Sequence, residues 1–399
     1  MPLAGPKSIS RLPSNPVPGR AGFRLGIAAS PFALWDELIH LVRISLSPLG
    51  FEVRRITPPD VSGKDWDGFL WLGNGDGLQP FADAVAGLGR NRPPTLLWQL
   101  DPLPPPDLPP EAEEIGLRVA RWDEGPASAS LQRIVFRLMP FRRQWIRLAR
   151  SWGLRRLENL GPVGREFAQP GGKTVARLSR YWNFIRRETE RGTLDQVATS
   201  LPMRLAFLRR RGIPVMELPL GFHPAMGCGA DGKDGELVGP RDCDLVFLGA
   251  LQHTRRPRVL RTLRAEWKRR GIRFLAVDRH CFGQQRTHLL RRAKIVLNLN
   301  TVPWDMPGFR FLTAVGCGAM VVSEPIRDPT PFRPGEHYVE AAIPQLPDVV
   351  EHFLRDEAGR KGIVAAARSF LETEHSWDHS MLKLGSWFHA HSAVSARGV

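Results

Sequence analysis

Short apolar runs alternate along the chain with stretches whose apolar positions recur at helical spacing. Runs bounded by small or polar residues are typical of buried strands, and Leu34, Leu38 and Leu41 share one face of a helix predicted over 33–46. The segments predicted to contain strands are 23–30, 51–57, 68–77, 95–100, 194–200, 214–221, 244–251, 273–278, 294–300 and 319–325. The strand in 68–77 runs into a glycine-rich turn, and the strand in 244–251 ends at Gly249. This alternation predicts α/β domains with parallel sheets.

A glycine-rich segment without apolar periodicity, 221–242, divides the chain and is predicted to be a linker. The predicted organisation is a leader (1–20), an N-terminal Rossmann-like domain (21–220), the linker (221–242), a C-terminal Rossmann-like domain (243–372), and a C-terminal helix and tail (373–399). Two such domains would face each other across a cleft. In open parallel sheets, ligands bind beyond the carboxyl ends of the strands.

Composition adds a strong positive charge to this picture. The chain has 56 Lys and Arg against 40 Asp and Glu, which gives a net charge of +16, so we expect an anionic partner. A general arginine bias of the composition is the alternative.

The four cysteines of the chain form no C-x-x-C pair, which argues against a disulfide scaffold or a thiolate zinc site. Without a visible signal sequence or spanning segment, we expect a cytoplasmic protein, with peripheral contact at the inner membrane.

Much of the charge is concentrated in one segment, 128–158. Eight arginines occur between residues 127 and 157 without a single acidic residue, interleaved with Trp145, Trp152 and other apolar residues. We interpret this as a basic amphipathic helix that breaks near Pro140. It could dock on anionic lipid, reach an anionic acceptor, or be an ordinary solvated helix of the N-terminal domain.

The ends of the second set of strands carry groups suited to a diphosphate. Gly249 would let the backbone approach a ligand closely, and arginines follow at the starts of the next helices. A solvated basic face is the alternative for Arg255 and Arg256. The candidate donor-binding residues are Gly249, Arg255, Arg256, Asp278, Asn300, Pro307, Gly308 and Arg310.

The segment DMPGFRFLTAVGCGAMVVSEP (305–325) resembles the nucleotide-sugar signature of GT-B glycosyltransferases. Together with FLGALQHTRRPRVLRTL and the segment from Gly335 to Met381, it looks like the CgeB-type (spore-maturation) group of that family. The resemblance implies a GT-B fold whose C-terminal helix returns to the N-terminal domain, and sugar transfer from a nucleotide-diphosphate donor. It also implies roles for Asp305 and Glu324 in catalysis.

One position departs from the family pattern. The glutamate expected three residues after Arg310, which would hold the ribose hydroxyls, is Thr313. A threonine hydroxyl makes one such bond and not a bidentate pair. This leaves three interpretations: an altered donor preference, a weaker donor affinity, or a homologue that has lost catalysis.

On the acceptor side, Asp76 is the candidate general base, because a sugar hydroxyl loses its proton during transfer. Asp76 could equally be a turn residue, and the same alternatives apply to Asp101. No spacing indicates a divalent metal site, so we expect metal-independent catalysis and no cofactor other than the nucleotide sugar as substrate.

We therefore expect a hexosyltransferase-like enzyme of cell-envelope or surface-glycan synthesis, acting on a glycan or lipid-linked acceptor. A nucleotide- or sugar-binding homologue without catalysis is the second hypothesis. A basic nucleic-acid-associated protein is the third, although no RRM, KH, zinc-finger or other nucleic-acid-binding signature is present and no specific nucleic-acid partner is expected.

Overall fold

The computed structural model describes residues 22–30, 33–73, 75, 77–124, 142–228, 241–251, 255–278, 281–306 and 308–395, and within these the strands form two parallel sheets. The first sheet contains Phe23–Ala29 (β1), Phe51–Arg55 (β2), Gly68–Gly73 (β3), Thr95–Gln99 (β4), Gln196–Thr199 (β5) and Val215–Glu217 (β6). The second contains Cys243–Leu248 (β7), Phe274–Val277 (β8), Ala293–Asn298 (β9), Met320–Ser323 (β10) and Val339–Glu340 (β11). Each predicted strand is present, most of them shorter than predicted, and β7 and β9 each begin one residue before the predicted start.

The strand orders are β2-β1-β3-β4-β5-β6 and β11-β10-β9-β7-β8. All pairings between neighbouring strands are parallel, so the carboxyl ends of each sheet lie along one edge. The central strand β3 is buried along its whole length, as expected for a parallel sheet covered on both faces.

Helices cover the faces of the sheets. The helices of the N-terminal domain are Ala33–Leu46 (α1), Gln79–Gly87 (α2), Pro110–Glu124 (α3), Arg142–Glu158 (α4), Gly161–Ala168 (α5), Gly172–Glu190 (α6) and Pro202–Arg209 (α7). Those that follow are Ala225–Cys228 (α8), Arg255–Arg269 (α9), Gly283–Arg292 (α10), Gly308–Gly316 (α11), Leu346–Arg355 (α12), Glu357–Thr373 (α13) and Trp377–Ser395 (α14). Short 3₁₀ helices lie at Ser47–Leu49, Pro58–Asp60, Gly89–Asn91 and Ile343–Gln345.

The 19-residue helix α6 is the largest element that the sequence interpretation missed. Its buried face includes Val175, Leu178, Trp182 and Ile185, which recur at helical spacing. That periodicity was readable in the sequence. With α3, α4 and α5, this helix forms a layer beside the first sheet.

The C-terminal helix α14 returns to the N-terminal domain, as predicted. The chain crosses where the main-chain nitrogen of Phe222 donates to the carbonyl oxygen of His375 at 2.8 Å. Trp377 Nε1 then donates to Ser45 Oγ at 3.0 Å, and the ring of Phe388 lies 5.9 Å from that of Phe23. Burial of these aromatic rings anchors α14 on the first sheet.

Several predicted features lie outside the described residues. These are the leader (1–20), residues 128–141 of the basic segment, residues 229–240 of the linker, Asp76 and Pro307.

Candidate functional site

A cleft lies between the carboxyl ends of the strands of the two sheets, with a cavity volume of about 340 Å³. Its N-terminal wall comes from the start of α1 and the segments after β4, β5 and β6. Its C-terminal wall comes from the segments after β7, β8 and β9 and the start of α11. This is the position at which open parallel sheets bind ligands.

A buried ion pair joins the two walls. Arg204 of α7 donates from Nε and Nη2 to the two carboxylate oxygens of Asp305, at 2.8 Å each, and the side chains are only 6% and 1% exposed. Burial raises the pKa of Asp305, and the charge of Arg204 opposes that rise. The geometry gives Asp305 a positioning role between the domains, and the catalytic role expected for it stays a prediction.

Two further arginines form ion pairs with carboxylates of the other domain. Arg286 of α10 donates to both carboxylate oxygens of Glu37 on α1, at 2.9 and 2.6 Å, and its guanidinium lies 4.9 Å from the ring of Phe309. At the surface, Arg327 pairs with Asp107 and with Glu166, at 2.8 Å each. The charges of Arg204, Arg286 and Arg327 are therefore used to hold the two walls together.

Arg256 and Arg310 are arranged differently. Arg256 is 4% exposed and donates from Nε and Nη2 to the carbonyl oxygen of Leu299, at 3.0 and 2.7 Å. Arg310 donates to the carbonyl oxygen of Leu248 at 2.9 Å and to the side-chain oxygen of Asn298. Within the described residues neither guanidinium donates to a carboxylate, and the negative charge of Glu324 acts on both of them only from a distance.

These two guanidinium groups meet beside Gly249, where β7 ends. A Cβ atom built on Gly249 would lie 2.6 Å from Arg310 Nη2 and 3.6 Å from Arg256 Nη1, so a side chain there would displace Arg310. The ring of Phe247 supports both guanidinium groups, at 5.8 Å from Arg256 and 5.3 Å from Arg310. The predicted residues Gly249, Arg256 and Arg310 are thus brought together on the C-terminal wall.

Bringing two cations together in a buried place is unfavourable. Burial, and next the neighbouring charge of Arg310, lower the pKa of Arg256. Burial lowers the pKa of Arg310 to about 10, which leaves its guanidinium charged at neutral pH. An anion bound between them would relieve this cost, because it would bring a negative charge into direct contact with both guanidinium groups.

Arg255, Asn300 and Glu324 form a separate cluster beside the cleft. Arg255 donates to both carboxylate oxygens of Glu324, one of them at 2.8 Å, and the main-chain nitrogen of Asn300 donates to the same carboxylate at 2.5 Å. The hydrogen bond that Arg255 donates to Glu324 raises the pKa of Arg255. All three line a small cavity of about 20 Å³ rather than the large cleft. The geometry therefore ties Arg255 and Glu324 to each other.

Three other predicted donor residues do line the cleft. They are Asp278, Gly308 and Thr313. Asp278 Oδ1 accepts from the main-chain nitrogen of Leu251 at 3.1 Å. The hydroxyl of Thr313 donates to the carbonyl oxygen of Phe309 at 2.9 Å, within its own helix, which leaves a single acceptor oxygen where the expected glutamate would offer two.

On the N-terminal wall, Asp101 follows β4 and lines the cleft, and its main-chain oxygen accepts from Gln99 Nε2 at 3.0 Å. The sequence had signalled Asp101 as a carboxylate at a strand end. It gave no signal for Arg204 or Arg286, whose partners lie 101 and 249 residues away. The roles predicted for Asp76 and Pro307 stay predictions, because both lie outside the described residues.

Within the part of the chain that the structure describes, no group of three or more His, Cys, Asp and Glu side chains is arranged to hold a metal ion. Among the described helices, none combines the length and apolar character needed to cross a bilayer.

Comparison with known proteins gives the fold. Residues 241–385 match the family model described as "Glycosyl transferase-like". A sucrose-phosphate synthase from Thermosynechococcus elongatus aligns with a TM-score of 0.52 at 11% identity, covering 94% of this chain and 100% of that one. Anabaena HepE, solved in complex with UDP and glucose, aligns with a TM-score of 0.51 at 11% identity, covering 93% and 100%. No curated protein sequence matches the chain significantly.

The chain has the GT-B fold. The predicted fold class, two parallel α/β domains facing a cleft, is confirmed, and the match over 241–385 covers the second sheet and its helices. The GT-B cleft of this protein is the cavity that Arg256 and Arg310 share with Asp101. The CgeB-type assignment stays a prediction.

Proposed function

We propose that this protein transfers a sugar from a nucleotide-diphosphate donor to a hydroxyl acceptor. The observation that carries the proposal is the pair of guanidinium groups, Arg256 and Arg310, beside Gly249 on the C-terminal wall of a GT-B cleft. Paired guanidinium groups without carboxylate partners suit a diphosphate. The complex of Anabaena HepE with UDP and glucose supports UDP as the first nucleotide to test.

In this proposal the acceptor hydroxyl loses its proton to a carboxylate, and its oxygen forms a bond to the anomeric carbon of the donor. The bond from that carbon to the diphosphate breaks, and the electron pair leaves with the nucleoside diphosphate. Arg256 and Arg310 stabilise the charge that develops on this leaving group. Asp101 is the carboxylate that the described part of the N-terminal domain contributes to the cleft, and we assign it the role of base.

The residues that line the N-terminal wall indicate what kind of acceptor would fit the cleft. Apart from Asp101, Ser200 and the ion-paired Arg204, its lining is apolar. The apolar lining residues on this side are Leu34, Trp35, Leu38, Leu100, Pro102, Leu201 and Leu220. This wall suits an acceptor with an apolar portion next to its hydroxyl, such as a lipid-linked glycan. We therefore keep cell-envelope or surface-glycan synthesis, at the cytoplasmic side of the membrane, as the proposed setting.

We propose that transfer needs no divalent cation. Two arginines at the diphosphate supply the positive charge that a metal ion provides in other transferases. Activity in excess EDTA should equal activity without it. A strict requirement for added manganese or magnesium would contradict this part of the proposal.

A nucleotide-binding protein without catalysis is the second candidate, and one observation favours it. The Thr313 hydroxyl donates within its own helix, so this position offers one acceptor oxygen where the glutamate expected in the family would hold the ribose hydroxyls with two. Such a protein would bind UDP without turning over a donor.

The two candidates separate in one experiment. The full chain is incubated with UDP-glucose, UDP-N-acetylglucosamine or GDP-mannose, and nucleoside diphosphate release and thermal stability are both measured. A transferase should be stabilised by its donor and, without an acceptor, should slowly transfer the sugar to water and release the nucleoside diphosphate. A nucleotide-binding protein without catalysis should be stabilised but should release no diphosphate. If no donor either stabilised the protein or released a nucleoside diphosphate, both candidates would be wrong.

A further inference from the structure

The helix α4 (Arg142–Glu158) carries an unusual exposed surface. Among the described residues, four large hydrophobic side chains are exposed: Ile44, Leu148, Trp152 and Leu275. The two most exposed, Leu148 at 61% and Trp152 at 58%, lie one helical turn apart on α4. Together with the exposed Arg147, Ser151 and Arg155 they form what we call the Leu148–Trp152 face.

This face points away from the core, because the opposite side of α4 is the packed one. Leu157 is fully buried. A Cβ atom built on Gly153 would lie 2.6 Å from Val119 Cγ2, so α4 packs closely on α3 at this glycine. Leu148 and Trp152 are therefore not needed to hold α4 in place.

The charge of the face is positive. No acidic residue occurs on α4 before Glu158 at its end, and the Arg156 guanidinium lies 5.0 Å from the ring centre of Trp152. Arg150 is different, because it is partly buried and its aliphatic part lies against Gly172; burial lowers its pKa. The arginines available to a partner on this face are thus Arg147 and Arg155.

We propose that the Leu148–Trp152 face docks this protein on a bilayer that contains anionic lipids. Tryptophan and leucine side chains enter the boundary between headgroups and acyl chains, and flanking arginines contact the lipid phosphates. A nucleic acid would also attract the arginines, but its phosphate backbone gives an exposed leucine nothing to bury. The inference concerns a surface outside the cleft and stands independently of sugar transfer.

The test is co-sedimentation of the full chain with vesicles of phosphatidylcholine alone or mixed with phosphatidylglycerol. Wild-type protein should sediment with the mixed vesicles and not with the neutral ones. The double variant Arg147→Gln/Arg155→Gln should bind the mixed vesicles roughly 25-fold more weakly, about fivefold per arginine. The double variant Leu148→Ala/Trp152→Ala should bind them at least about tenfold more weakly, through lost apolar burial.

Matched controls remove the same groups elsewhere. Arg261→Gln/Lys268→Gln removes two exposed positive charges from α9, and Leu275→Ala removes an exposed leucine from β8. Both should bind vesicles as wild type does. Equal binding by the α4 variants and wild type would overturn the proposal, as would an equal loss in the controls.

Two further measurements keep the outcome unambiguous. UDP binding by the α4 variants should equal that of wild type, so a failure of vesicle binding is distinct from a failure of the proposed transferase. Binding to a labelled RNA duplex is measured in parallel. If wild type bound the duplex but not the anionic vesicles, and the α4 variants lost that binding, the face would serve nucleic acid and the proposal would be wrong.

Discussion

The arginines at the cleft fall into two groups that differ in their partners. Arg204 and Arg286 are tied to carboxylates of the opposite domain, and Arg255 is tied to Glu324 beside the cleft. Arg256 and Arg310 contact only carbonyl and amide oxygens among the described residues. All five belong to the same GT-B fold, and Arg255 and Arg256 are adjacent in sequence.

This difference separates arginines that hold the architecture from arginines that are available to a ligand. A paired arginine has its charge satisfied, and breaking the pair leaves a buried charge behind. An arginine that contacts only neutral groups keeps most of its attraction for an anion. We infer that Arg256 and Arg310 form the diphosphate site and that the others position the walls around it.

The largest expected effect comes from turning a paired arginine into an unpaired one. Asp305→Asn removes the charge opposite Arg204 with little change in shape. Loss of one partner from a buried pair should lower the free energy of unfolding by about 3–5 kcal/mol, measured by urea denaturation.

The matched control is Asp107→Asn, which breaks another Arg–Asp pair between the domains. Its partner is Arg327, which also pairs with Glu166 at 2.8 Å, and the side chains of Arg327 and Asp107 are 38% and 32% exposed. Solvent screens such a pair and Glu166 remains beside Arg327, so the cost should be about 0–1 kcal/mol. Equal effects of the two substitutions would show that burial does not separate the two kinds of contact.

A second test creates a buried cation by lowering the pH, which protonates the imidazole of His375. Burial lowers the pKa of His375 to about 4 from its ordinary 6.5, and this ring stacks on Phe370. Between those values the unfolded chain binds a proton that the folded chain does not. The contribution of His375 to the free energy of unfolding is therefore fully present above pH 6.5. It falls by about 3 kcal/mol as the pH drops toward 4.

The measurement is the melting temperature from pH 7 to pH 4.5. The variant His375→Asn should show a smaller decline than wild type. His223, His337 and His389, whose pKa values are also lowered by burial, should account for part of the remaining slope. Identical declines in variant and wild type would mean that the acid limb of stability has another origin.

The comparison also shows what could be predicted from the sequence. The strands and most of the helices were readable, because apolar runs and helical spacing are local patterns. Gly249, Arg256 and Arg310 were also predicted, since they occupy strand ends and helix starts. The charge partners were not, because Arg204 and Asp305 lie 101 residues apart and only the fold brings them together.

The same limit applies to the residues expected to act with the donor. Arg255 and Arg256 are neighbours in sequence, yet one pairs with Glu324 and the other faces the cleft. Adjacent residues on a helix point about 100° apart, and the packing of α9 against β9 determines which of the two side chains points into the cleft. Thr313 was identified as a departure from the family pattern, but the hydrogen bond from its hydroxyl to Phe309 appears only in the structure.

The central claim is that Arg256 and Arg310, and not the paired arginines, bind the diphosphate of the donor. The most direct measurement is isothermal titration calorimetry with UDP on folded variants. Arg310→Ala should weaken binding by about 1.5–3 kcal/mol, through loss of a charge-assisted contact. The charge-balanced double variant Arg255→Gln/Glu324→Gln should stay within about threefold of wild type, well below the tenfold that 1.4 kcal/mol represents. Unchanged affinity in Arg310→Ala, or an equal loss in the double variant, would contradict the account.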